Sequence, residues 1–159
     1  MKRALGIGLT LLGSLLLPLA VGGISGYATA SSIHGWYEHL IKPSFNPPNY
    51  LFGPVWTLLY TLMGISLFII LNSPKGESRA KALKIFTIQL TLNFFWSFLF
   101  FKFNLLGLAF LEIILMLASI GAMIFYFSRI NKFAAYLQVP YILWVSFATT
   151  LNGAIWMLN

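Results

Sequence analysis

The chain has no cysteine and no aspartate, and three glutamates are its whole acidic complement. Without cysteine there can be no disulfide, no thiolate nucleophile and no thiolate metal site, and the redox compartment leaves no trace in the sequence. Charged residues fill only 8% of 159 positions, against about 25% in an ordinary soluble domain. The mean hydropathy is +0.86, so water is not the main solvent of this surface. Histidine is scarce as well: His34 and His39 stand at i and i+5 in one loop, poor spacing for a metal site and better suited to surface positions. Ser44, Ser97 and Ser146 have no base near them in the sequence. No catalytic residue and no metal ligand is assigned.

Acidic charge is outnumbered, with ten Lys+Arg against three Asp+Glu and a net charge of +7. In a soluble protein that balance would suggest nucleic acid. Here the basic residues sit in short segments between apolar runs, which excludes nucleic acid as the partner and points to membrane lipid.

What the chain does have is hydrophobic residues, 59% of the total, with 17% aromatic. Five apolar stretches, about 4–24, 51–72, 82–101, 105–127 and 133–158, each suit a helix crossing a bilayer, which needs about 20 residues. None alternates as a barrel strand would. The fold class is all-α: a polytopic membrane protein, one five-transmembrane-helix bundle over residues 1–159, with a lid loop at 25–50. The first stretch imitates a signal peptide as far as Ala28-Thr29-Ala30. Its apolar run exceeds the roughly 7–15 residues of such a segment, and Pro18, Gly22 and Gly23 suit a retained, slightly broken helix. Asn49 is the expected cap of the second helix, with Pro54 in its first turn. Pro140 is expected to free a carbonyl near Gln138 in the fifth.

With five spans, the N-terminus and the second and fourth loops share one side. That side holds Lys2, Arg3, Lys75, Arg79, Lys81, Lys84, Arg129 and Lys132, leaving Lys42 and Lys102 opposite. The positive-inside rule then places the N-terminus in the cytoplasm and the lid and C-terminus outside.

Within the lid, the stretch from Trp36 to Tyr50 carries Pro43, Pro47 and Pro48 among Trp36, Tyr37, Phe45 and Tyr50. The prolines give it a set shape, and the rings give it broad flat surfaces. It runs into the second helix, where Trp56, Tyr60, Met63 and Leu67 recur at helical spacing. Gln89, Asn93, Trp96, Ser97 and Phe100 form such a stripe on the third helix, and Pro140, Trp144, Ala148, Leu151 and Asn152 on the fifth. Converged, these faces make a largely apolar aromatic cavity with a few amide donors, the usual character of a small-molecule site. Alternatively, Gln89, Asn93 and Asn152 bond one helix to another. Glu112, the one carboxylate within a span, could pair with a neighbouring helix, a partner subunit or a ligand.

Several blocks resemble one family. Trp36-Tyr37 with Lys42-Pro43-Ser44-Phe45-Asn46-Pro47-Pro48 is similar to the WY…KPSWxPP loop of the translocator protein/tryptophan-rich sensory protein (TspO/MBR, peripheral-type benzodiazepine receptor) family. Gly53-Pro54-Val55-Trp56 with Leu59-Tyr60 and Met63 resembles its second helix. Gln89-Leu90, Leu92-Asn93, Trp96-Ser97 and Phe100-Phe101 resemble its third, and Val139-Pro140-Tyr141, Trp144, Phe147-Ala148 and Leu151-Asn152 its fifth. The blocks keep their order over nearly the whole chain.

The resemblance implies a five-helix bundle, often dimeric, that binds tetrapyrroles such as protoporphyrin IX and haem, and also sterols and isoquinoline or benzodiazepine drugs, beneath the first loop. By motif, Tyr37, Pro47, Trp56, Asn93, Trp144, Ala148 and Leu151 would line the pocket, with Trp36 at its mouth; Tyr60, Gln89 and Trp96 join them from the helical stripes. A tetrapyrrole would be the ligand, and no cofactor is required. Two departures stand out: Phe45 occupies a position where the family commonly has Trp, and the tail LNGAIWMLN lacks the Tyr and following Lys or Arg of the animal members' cholesterol motif. Lys84–Leu90 fits only the reversed form of that motif, a weak pattern.

Sensing, sequestration or transport of the ligand is the expected function. The alternatives are sterol or lipid transport and an enzyme promoting light-dependent porphyrin degradation through pocket tryptophans. Small residues (Ala118, Ser119, Gly121 and Ala122, and Gly22 to Gly26) permit close helix approach and suggest a homodimer. A bacterial inner membrane fits the loop charges; a mitochondrial outer membrane is where eukaryotic relatives reside.

Overall fold

The computed structural model describes residues 2–33 and 35–159, with backbone alone for residues 2–4; His34 and the side chains of Lys2 and Arg3 therefore lie outside the described residues. Among the described residues seven α-helices follow in order: α1 (Lys2–Ile33), α2 (Trp36–His39), α3 (Phe52–Leu71), α4 (Glu77–Ser97), α5 (Leu106–Ser128), α6 (Lys132–Tyr136) and α7 (Val139–Leu158). Among the described residues there is no strand. Five segments, Leu5–Ile33, Asn49–Leu71, Glu77–Lys102, Leu106–Ser128 and Lys132–Leu158, are long and apolar enough to cross a membrane. In lipid a spanning backbone must satisfy its own hydrogen bonds, which selects helix for every one of them.

Four boundaries differ from the sequence expectation. The first helix does not stop at residue 24 but continues to Ile33, so the lid is shorter than 25–50 and Ala28-Thr29-Ala30 is helical. The polar residues there are compatible with helix because they bond inward: Ser25 Oγ donates to the Gly22 carbonyl (3.2 Å) and Thr29 Oγ1 to the Ser25 carbonyl (2.8 Å). Next, Asn49 does not cap α3. The Leu51 amide bonds to the Pro48 carbonyl (3.0 Å), making residues 49–51 a 3₁₀ turn, and Leu51 takes the cap position without a side-chain bond. The third helix starts early, at Glu77, where Lys81 closes an exposed i,i+4 ion pair on Glu77 (2.7 Å). Finally, the last span is broken. Asn131 caps α6 by accepting the Ala134 amide, and Pro140 falls in the first turn of α7, where a missing N–H costs nothing. The Gln138 carbonyl is consequently not freed; it accepts the Ile142 amide at 3.1 Å.

Between α4 and α5 the helix widens into a π turn, Phe98–Lys102, and Asn104 reverses the chain in the left-handed region at φ 57°. Asparagine tolerates that region better than most side chains. The long helices form a ring. α1 packs on α3 and α4, and α5 packs on α4 and α7. α3 meets α7 through ring contacts, Phe52 on Trp144 (5.9 Å) and Trp56 on Tyr141 (6.3 Å). Connectivity puts the α3–α4 and α5–α6 loops at one end and the lid, the Asn104 turn and Asn159 at the other.

Close approach is made by glycine. A Cβ on Gly64 would come within 2.7 Å of the Leu15 Cα, and one on Gly22 within 2.0 Å of the Tyr60 ring. Of the small residues read as dimerising, Gly22 is thus used within the chain, and Ala118 faces outward.

Candidate ligand-binding site

Three helices build a polar knot in the middle of the bundle. Tyr60 on α3 donates to Asn93 Oδ1 (2.6 Å), Asn93 Nδ2 donates to the Tyr141 hydroxyl (3.0 Å), and Tyr141 donates to Gln89 Oε1 (3.0 Å). The Gln89 amide finishes on Met63 Sδ at 3.8 Å. Each member is buried. Buried amides need partners, and here α3, α4 and α7 supply them to one another.

On the lid side of this knot the bundle is hollow. A cavity of about 340 Å³ lies between α1, α3, α4 and α7. Its walls are rings: Phe52, Trp56 and Tyr60 from α3, Trp96 with Phe100 and Phe101 from the end of α4, Trp144 from α7, and Tyr37 from the lid. They hold each other in place. Trp56 stacks on Tyr60 (5.5 Å) and Trp96 on Phe100 (5.2 Å), while Trp144 is wedged by Phe52 (5.9 Å) and Phe147 (5.6 Å). Ala148, Leu151 and Asn152 complete the α7 wall. The Trp96 indole N–H donates to Asn152 Oδ1 (3.1 Å), and Asn152 donates onward to the Leu106 carbonyl (3.1 Å), which ties α4, α7 and α5 together.

The lid closes over the top with several fastenings. The Tyr37 hydroxyl donates to Asn46 Oδ1 (3.0 Å), and Tyr37 packs on Phe101 (5.5 Å). Burial holds that hydroxyl above its ordinary value of 10.0. Lys42 is engaged locally, donating to the Glu38 carbonyl (3.2 Å) with its ammonium 4.7 Å from the Tyr37 ring centre. Asn159 grips the lid backbone from the end of α7, accepting from the Ile41 amide and donating to the Ile41 carbonyl, both at 2.9 Å.

Of the residues singled out in the sequence, Tyr37, Trp56, Tyr60, Trp96, Trp144, Ala148 and Leu151 come together on the cavity wall. Gln89 and Asn93 do not; they stand behind Tyr60, with their polar atoms used between helices. Trp36 sits beside the wall, edge-on to Phe100 at 6.0 Å, and Pro47 stays within the lid, its carbonyl accepting from Asn46. An entire wall went unrecognised: Leu19, Gly22, Ser25, Gly26, Thr29 and Ile33 of α1. Their spacing of three and four was visible, but most of them lie in the segment read as loop. Glu112 is buried on α5, away from the cavity, and neither of its oxygens has a partner among the described residues. Among the described residues the cavity lining holds no carboxylate, imidazole or amine. The arrangement can enclose and stack a flat apolar molecule.

Fold and site together define a multi-pass helical membrane protein with an aromatic chamber between its helices. Comparison with known proteins gives the family. The model of the TspO/MBR family matches residues 14–157. The chain is 45% identical over 154 residues to the tryptophan-rich protein TspO of Archaeoglobus fulgidus, covering 95% of this chain and 97% of that one. It is 35% identical over 133 residues to the human translocator protein (80% and 79%), and 32% identical over 124 residues to the tryptophan-rich sensory protein of Cereibacter sphaeroides (78% and 77%). The chain belongs to the TspO/MBR family.

Proposed function

We propose that this membrane protein binds flat hydrophobic molecules, tetrapyrroles such as protoporphyrin IX or haem foremost, and senses, sequesters or passes them on. The observation that carries this reading is the enclosure of one cavity by three indoles, Trp56, Trp96 and Trp144, together with the rings of Tyr37, Tyr60, Phe52 and Phe100. A macrocycle gains from stacking on such faces and from leaving water, at roughly 25 cal/mol per Å² of apolar surface. The volume lies at the lower end of the roughly 300–1,000 Å³ typical of small-molecule sites, so a tetrapyrrole would occupy it with part of its rim projecting. The names of two relatives, translocator protein and tryptophan-rich sensory protein, support passage or sensing as the role. The charge asymmetry supports a cytoplasmic N-terminus, with the lid on the far side of a bacterial inner membrane.

The test is a titration of the protein in lipid nanodiscs with protoporphyrin IX, read by quenching of tryptophan fluorescence. Trp56→Ala and Trp144→Ala should each weaken binding by about tenfold, the loss of one stacked ring at roughly 1–1.5 kcal/mol. Equal affinity in both variants and the parent would refute the site. Following pigment loss in light and in darkness, with Trp56→Phe and Trp144→Phe, separates binding from photochemical degradation.

A further inference from the structure

The cavity has an edge that its own helices do not cover. Five of its lining residues are exposed: Gly23 and Gly26 on α1, Asn49 in the 3₁₀ turn before α3, and Gly53 and Thr57 in the first turns of α3. The lining residues on α4 and α7 are buried or half-buried. The exposed ones face each other across a single seam, between α1 and α3. That seam is tight lower down, where Gly64 seats Leu15 and Gly22 seats Tyr60. Beyond this crossing the helices part: a Cβ added at Gly23, Gly26 or Gly53 would meet nothing within 4 Å.

The gap suits hydrocarbon rather than water. Its hydroxyls are all turned onto their own helices: Thr57 Oγ1 donates to the Gly53 carbonyl (2.9 Å), Ser25 to Gly22 and Thr29 to Ser25. Asn49, at the lid end of the seam, is the exposed polar side chain whose amide finds no such bond among the described residues. The lid, by contrast, is fastened by the Tyr37–Asn46 bond, by the double grip of Asn159 on Ile41 and by Phe45 against Phe147 (6.3 Å). Both helices fall in segments able to span a bilayer, so the side of the seam faces lipid.

We infer that the slot between α1 and α3 is a lateral portal, through which a flat hydrophobic ligand already dissolved in the bilayer enters and leaves the cavity without the lid opening. This rests on the reading of the cavity as a ligand site, and the experiment keeps the two apart. The probe is protoporphyrin IX in lipid nanodiscs, with association and dissociation followed by stopped-flow fluorescence. Gly26→Leu combined with Thr57→Leu fills the slot from outside, and Gly13→Leu, whose Cβ likewise meets nothing but which lies outside the lining, is the control. The slot-filling variant should slow association and dissociation together, by about tenfold each, as expected when a passage is narrowed; slower association with faster dissociation would mean a lost wall contact and would overturn the portal, and the control should match the parent. Unchanged rates would overturn the portal.

Because the chain has no cysteine, a single spin label at Thr57→Cys reads the slot with no ligand present. Stronger relaxation by oxygen than by a water-soluble nickel chelate supports a lipid-facing opening. Relaxation by nickel, or by neither, overturns it. If the parent chain fails to bind protoporphyrin IX, the tetrapyrrole reading falls and the collision measurement alone decides the slot.

Discussion

The two halves of the bundle are built from the same apolar stock and end differently. In the half nearer the basic loops, Met63, Ile70, Met116, Ile120, Met123 and Phe127 are each 0% exposed, and Phe86 stacks flat on Phe127 at 6.3 Å and 11°. The half under the lid encloses about 340 Å³ of empty space. Side-chain shape accounts for the difference. Methionine and isoleucine adapt to irregular gaps and fill them. Tryptophan and tyrosine are stiff plates; where the facing helix offers glycine, as at Gly23 and Gly26, nothing reaches across to meet them. Hydrophobicity put both halves in the membrane, but only the half under the lid holds an aromatic chamber.

The contrast is broken most severely at Gly64. Gly64→Val drives a side chain into the α1 backbone and should cost about 3 kcal/mol, read as a large fall in melting temperature in detergent. Gly23→Ala, in the hollow half of the same seam, should stay within about 0.5 kcal/mol of the parent. Similar melting of the two would show that α1 shifts freely and that the crossing is not a fixed point.

A smaller loss is expected from Tyr141→Phe, which removes the hydroxyl shared by Asn93 and Gln89. Stranding those amides should cost about 1–2 kcal/mol, with protoporphyrin IX affinity little changed, because the knot lies behind the cavity. A large drop in affinity with unaltered melting would put Gln89 and Asn93 back among the ligand contacts.

Glu112→Gln should act in the opposite direction. A carboxylate without a partner among the described residues is a burden in a packed bundle, and a neutral side chain of the same shape should raise stability by about 1 kcal/mol. A fall in stability instead would mean that a neighbouring subunit supplies the missing partner. The mildest effect is Asn159→Ala, which frees the lid backbone at Ile41. It should speed amide exchange there through loss of about 0.5–1 kcal/mol while global melting holds.

Much of the architecture was legible from residues alone. The five spans and the aromatic stripes of α3, α4 and α7 follow from run length and helical spacing. Errors fell where local chemistry was ambiguous. Ser25 and Thr29 look like loop residues until they are seen returning their hydroxyls to their own helix, so the α1 wall was read as lid. Gln89 and Asn93 share a stripe with Trp96, yet spacing cannot tell an amide that faces a cavity from one that faces Tyr141.

Composition and run length by themselves determined that this is a five-span helical membrane protein, since a bilayer leaves a spanning backbone no other way to satisfy its N–H and C=O groups. Only the tertiary structure decided where the bundle closes and where it stays open. Gly64 and Gly26 are the same residue in the same kind of apolar run; one is pressed against a neighbouring backbone and the other borders an empty slot. That distinction depends on how two helices cross, and no single stretch of the chain contains it.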